Sequence, residues 1–137
     1  MKKLLFLCSL SFFIFCCLGA SSQAASPIKV DVLFMNHGPL MDTLNKMKGV
    51  FSGYGDKLSV SWYDFDAKEG EEFMTKKGVK QHVPLIVWIN GSPVVAIGGA
   101  RKVQFTGFPT GSGPASFQGK WTMDDLKAAL DQATAGK

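Results

Sequence analysis

The segment KVDVLFMNHGPL, residues 29–40, decides how the chain is read. Its first part, Lys29 to Met35, is β-rich and largely apolar without strict alternation, the pattern of an interior strand. Asn36-His37-Gly38-Pro39 then breaks the strand. Beyond the break, Leu40, Leu44, Met47 and Phe51 recur at steps of four, three and four, which predicts a helix from Pro39 to about Phe51. Pro39 suits the first helical turn, where its missing N–H has no bond to lose. Gly53, Gly55 and Asp56 end the helix.

Working toward the C-terminus, Lys57 to Phe65 alternates Leu58, Val60 and Trp62 with polar residues and predicts a second strand. Asp66 is placed to cap a helix over 67–77, with Glu69, Glu71 and Glu72 near its positive end and Gly78 as its stop. Pro84 to Ile89 predicts a third strand. Asn90-Gly91 then signals a type I′ hairpin turn, because both central residues of that turn need positive φ. Val94 to Ile97 is the returning strand, and Lys102 to Phe105 a further edge strand. Residues 107–119 are rich in Gly, Pro and Ser and read as a loop. Thr122 caps a last helix with an apolar stripe at Leu126, Ala129 and Leu130. The order is β-α-β-α-β-β-α. It predicts a parallel βαβ unit followed by an antiparallel hairpin, in an α/β domain with one central mixed sheet of four to five strands and helices on both faces.

Working toward the N-terminus, Lys2 and Lys3 precede an apolar run from Leu4 to Leu18, and small residues follow. Ser22-Gln23-Ala24 fits the small-x-small rule of signal peptidase, so residues 1–24 are expected to be a cleaved signal peptide and 25–137 one domain. A retained anchor is the alternative, for which the run is short against the roughly 20 residues a bilayer needs. Lipidation at Cys16 or Cys17 is disfavoured by the bulky residues before each. Removing 24 of the 137 residues leaves 113, enough for one core without staples. All three cysteines, Cys8, Cys16 and Cys17, leave with the leader, so the domain has no disulfide, no reactive thiol and no thiolate metal site. The formal charge falls from +4 to +2 with Lys2 and Lys3, and a single Arg remains, which gives no basic stripe for nucleic acid. The expected location is the bacterial periplasm or the exterior, with membrane contact only through the leader before cleavage.

This element order, with Gly38-Pro39 at the first strand–helix joint and Val83-Pro84 before the third strand, resembles the thioredoxin family. The likeness covers nearly all of residues 25–137. That family carries Cys-Gly-Pro-Cys where this chain has His37-Gly38-Pro39-Leu40. Asn90-Gly91 after the third strand and Gly98-Gly99 after the fourth add to it. The resemblance implies a thioredoxin-like fold, a cis peptide bond before Pro84, and a groove between the His37 turn and that proline in which the Val83 backbone pairs with an extended peptide. Thiol–disulfide exchange needs a low-pKa thiolate and a second, resolving thiol. Neither is present, so the activity does not transfer. The stretch at about 102–121 departs from a minimal member as an inserted, aromatic-bearing loop. It reads either as a cover packed on the sheet edge or as a lid or partner surface.

The candidate binding groove is therefore His37, Gly38, Pro39, Leu40, Val83 and Pro84. His37 stands where the attacking cysteine would, either as a polar relic or as a neutral imidazole able to bind a metal or a partner. His82, two residues before Pro84, is the only other histidine. With Met35 and Met41 the pair makes a candidate set for copper or another soft metal, unless the methionines only fill core gaps. Asp64 and Asp66 suggest no catalytic pair, since a strand end and a helix cap account for them. The primary expectation is a redox-inactive binding protein for a peptide, protein or small ligand, monomeric and without a cofactor. The alternatives are a periplasmic metal carrier using His37 and His82, and an enzyme with non-thiol chemistry at His37. Intact mass of the exported protein checks the processing: a chain beginning at Ala25 and free of reactive thiol is expected.

Overall fold

Residues 25–136 are described by a computed structural model; the expected signal peptide and its cleavage site lie outside these residues. Strand β1 (Ile28–Phe34) is central. It pairs in parallel with β2 (Leu58–Asp64), Val30 opposite Val60, and antiparallel with β3 (Leu85–Ile89), Val32 opposite Val87. The order is β2-β1-β3. Helix α1 (Gly38–Ser52) links β1 to β2, and α2 (Lys68–Lys77) links β2 to β3. Strands β4 (Val94–Ile97) and β5 (Arg101–Gln104) form an antiparallel pair, and α3 (Met123–Thr134) closes the chain. Among the described residues no helix is long and apolar enough to cross a membrane.

Because successive strand residues point to opposite faces, β1 fills two cores. Val30 and Val32 share one with Leu44 and Met47 of α1 and with Leu126 and Leu130 of α3. Leu33 shares the other with Ile86, Trp88 and Phe73 of α2. Helices thus lie on both faces, as the sequence predicts. Tyr63 stacks on Phe73 at 3.9 Å between centroids, and Trp88 meets the same ring edge-on at 5.2 Å. Asp31 is the buried charge of β1, only 1 % exposed. Lys29 and Lys77 reach its two oxygens at 3.7 and 3.8 Å, and Lys77 lies over the Phe73 and Trp88 rings.

The single four- to five-stranded sheet is not what forms: there is a three-stranded sheet and a separate two-stranded one. Asn90 and Gly91 do take positive φ, 50° and 84°. The hairpin they start closes only one bridge, Ile89 with Ser92. Pro93 has no N–H to give to β3, and Ser92 Oγ bonds both to the Val94 carbonyl and to its N–H, turning β4 away. The edge of β3 is taken instead by the chain just after β5: Val87 N–H donates to Phe105 O at 2.9 Å and Gly107 N–H to Leu85 O at 2.7 Å.

The helix ends follow sequence chemistry with one exception. Gly78 ends α2 in the left-handed region, φ 68°. Thr122 and Asp125 form a reciprocal capping box on α3. Arg101 binds the same Asp125, and this contact is the main cause holding its carboxyl below the usual carboxylate range. Tyr54 donates to Asp131 at 2.7 Å across to α3; burial first, then that bond, pushes its phenol up to about 12. Asp66, however, does not cap α2. The N-cap is Ala67, and Asp64 Oδ1 accepts the Asp66 N–H at 3.1 Å, so the aspartate that shapes this turn is Asp64. Helix α2 then passes so close to the end of β2 that a Cβ on Gly70 would stand 1.8 Å from the Asp64 carbonyl oxygen. Backbone cannot yield cheaply there. Gly70→Ala is expected to lower stability by about 2 kcal/mol or more, read as a shifted urea midpoint at unchanged slope.

Candidate functional site

The site is built where β1 leaves the sheet. Met35 N–H donates to Pro84 O at 3.0 Å, and His37 N–H donates to Met35 O at 2.9 Å. Two backbone bonds therefore tie the His37 turn to the entry of β3. His37 is the N-cap of α1 in extended conformation, its side chain makes no cap bond, and Leu40 N–H closes the turn on His37 O at 3.0 Å. Pro39 sits in the first turn, as its missing N–H favours.

The peptide bond before Pro84 is trans, since no cis bond occurs among the described residues. This overturns the expected cis-proline. Trans is the lower-energy isomer of an X–Pro bond by about 0.5–1 kcal/mol. Here the chain runs into β3 with the Pro84 carbonyl already holding Met35, so no tight turn demands the other isomer. The pairing of the Val83 backbone with a peptide, which rested on that isomer, falls with it.

A cleft of about 240 Å³ opens at this joint. Buried Met35, Leu40, Pro84 and Phe108 make its floor. Exposed His37, Pro39 and His82 make one rim, and Pro114 and Phe117 the other. The lining surface is almost wholly apolar, although His37 and His82 contribute to it. A shallower groove shares His82, Pro84 and Phe117 with the cleft and continues past Val83 to Gln118. His82 is held edge-on against Phe65, 4.7 Å between centroids.

The second rim belongs to the loop 107–119, which is an ordered brace. Phe108 N–H donates to Phe117 O at 2.9 Å and Gly119 N–H to Phe108 O at 2.6 Å. Gln118 accepts from Gly111 N–H and donates to Gly113 O. Trp121, fully buried, donates its indole N–H to Gly107 O at 3.2 Å. The aromatics of the 102–121 stretch divide between core and surface. Phe105 and Phe108 are core, whereas Phe117 is 50 % exposed at the cleft mouth.

Of the residues singled out from sequence, the structure gathers Met35, His37, Pro39, Leu40, His82 and Pro84 on one cleft. Gly38 opens α1 beside it, and Val83 lines only the adjoining groove. Met41, 37 % exposed, is not part of the cleft lining. Phe108, Pro114 and Phe117 were not foreseen as lining residues. Their signal was the aromatic spacing in a Gly/Pro loop, which carries no information on where the loop docks. No protein-family model matches this chain, and no curated protein matches it significantly in sequence.

The loop's shape hangs on Gly113, at φ 65°, where a Cβ would meet the Phe108 ring at 2.4 Å. Gly113→Ala is expected to cost about 1–3 kcal/mol of stability and to move Phe117. The check is calorimetry together with ¹H–¹⁵N shifts, whose changes are expected to centre on residues 107–119 and on the His37 turn.

Proposed function

We propose that residues 25–137 form a thioredoxin-like, redox-inactive binding module that works outside the cytoplasm and takes an apolar side chain of an extended peptide or protein segment into the cleft beside His37. The observation that carries this reading is the cleft itself. It is preformed, nearly wholly apolar, walled by four separate chain segments, and continued by a groove past Val83. Concave, mostly apolar pockets are the usual form of a binding site. The likeness to thioredoxin is supported by the β2-β1-β3 order, with parallel β1–β2 and antiparallel β1–β3 pairing, and by a helix starting at Gly38-Pro39 directly after β1. Residues 25–137 lack cysteine altogether, so recognition can persist while thiol exchange cannot.

Peptide selection on immobilised residues 25–137 tests the reading. Enriched peptides should share one large apolar residue, and residues 37–40 and 114–117 should show the largest NMR shifts on binding. Phe117→Ala, which removes a half-exposed aromatic at the rim, should weaken binding about tenfold, or roughly 1.4 kcal/mol. Selection without apolar enrichment, or affinity untouched by Phe117→Ala, would reject it.

A further inference from the structure

Resting on the peptide reading of the cleft, we infer that the cleft is the apolar end of a longer trough whose far end is cationic, and that the segment it holds carries acidic residues near its apolar anchor. Shared walls trace the trough. The cleft and the groove next to it have His82, Pro84 and Phe117 in common. That groove shares Val83 and Thr106 with a third, which extends over Ile86 and Trp88 to Lys77 and Lys80. Thr106 and Gln104 border both this third groove and a fourth, which Lys102 and Lys120 line as well. The sheet gives the spacing. Ile86 bridges to Thr106, so the path from Pro84 at the cleft to Lys102 covers about six residues of extended chain, roughly 20 Å.

The charges of the walls select the partner. None of the chain's 11 Asp and Glu side chains lines any of the four grooves, whereas four lysines do. Lys77 is committed to Asp31 at 3.8 Å. Lys80, Lys102 and Lys120 are exposed and form no ion pair with a described residue. Like charges gathered without a carboxylate to offset them add their potentials and favour an anion. Lysines are mobile point charges, which suits a run of carboxylates better than one fixed oxyanion. A single nucleic-acid strand fits less well, because its bases need exposed aromatic faces among the cations. Trp88 is only 5 % exposed, and the exposed ring of Phe117 stands at the uncharged end. An extended peptide satisfies both ends, with an apolar side chain in the cleft and Glu or Asp side chains within about six residues of it.

Fluorescence anisotropy of end-labelled synthetic peptides on residues 25–137 tests the trough. Peptides of about 12 residues carry one Leu and a run of Glu within about six residues of it, in either order. Matched peptides have Gln for Glu, or Ser for Leu. In the order that fits, the Glu peptide should bind about tenfold tighter than its Gln counterpart at low salt, and this advantage should fall to about twofold or less in roughly 0.5 M NaCl. Lys80→Gln, Lys102→Gln and Lys120→Gln combined should abolish the advantage and leave the Gln peptide bound as by the parent. Gln at Lys46, Lys57 and Lys76, none of which lines the trough, should preserve it, with circular dichroism unchanged in both variants. Glu and Gln peptides bound equally, or a Glu preference that survives loss of the trough lysines, would overturn the inference. Phe117→Ala still weakening the Gln peptide would in that case leave the cleft reading standing. A Glu peptide that fails to bind in either order, or binds as well with Ser in place of Leu, would reject the cleft reading and this inference with it. Decathymidylate bound as tightly as the Glu peptide would also overturn the inference, since any polyanion would then serve.

Discussion

The burial of both faces of β1 is the constraint from which the rest of the structure follows. Val30, Val32 and Leu33 are fully buried, yet they point to opposite sides of the sheet. A strand of this kind is stable only if each face is covered. Helices α1 and α3 cover one and α2 covers the other. The same constraint buries Asp31, whose Oδ1 accepts no hydrogen bond among the described residues and faces the Lys29 ammonium at 3.7 Å. A buried carboxylate left without partners would be costly. Lys77 supplies the second charge, and the same ammonium lies 5.4 and 5.5 Å from the Phe73 and Trp88 ring centroids, so one cation serves both the ion pair and the aromatic layer.

The cleft is a consequence of how β1 ends. At Met35 the strand bonds sideways to Pro84 instead of continuing, and His37 folds back onto the Met35 carbonyl. The chain then enters α1 at Gly38. This short turn leaves a gap between the start of the helix and the entry to β3. Loop 107–119 fills the far side of the gap. It can do so because residues 105–107 have already docked on the edge of β3, which aims the following chain across the joint.

Much of this was legible in the chain. The apolar run of β1, the four-three-four spacing of α1, the Thr122 cap and the Asn90-Gly91 turn are local signals, each with one dominant cause. The errors share a different origin. Asp66 lost the cap position because Asp64, two residues earlier, competed for the same backbone. The hairpin did not zip because Pro93 and Ser92 spoiled the ladder, and a segment beyond β5 captured the vacant edge. Pro84 stayed trans because the Met35 bond was satisfied without the cis isomer. In each case neighbours remote from the local motif, or two local motifs in competition, decided the outcome.

Sequence alone determined that residues 25–137 hold no thiol, that β1 would be interior, and that His37-Gly38-Pro39-Leu40 would stand at a strand–helix joint. Those properties depend on composition and short-range periodicity, which the chain carries wherever it folds. Only the tertiary structure decided that His82 and Met35 share a cleft with His37, that Met41 does not line it, and that Phe117 forms its outer wall. Such proximity arises from backbone bonds between segments tens of residues apart, and no local pattern encodes which edge of a sheet a distant loop will find.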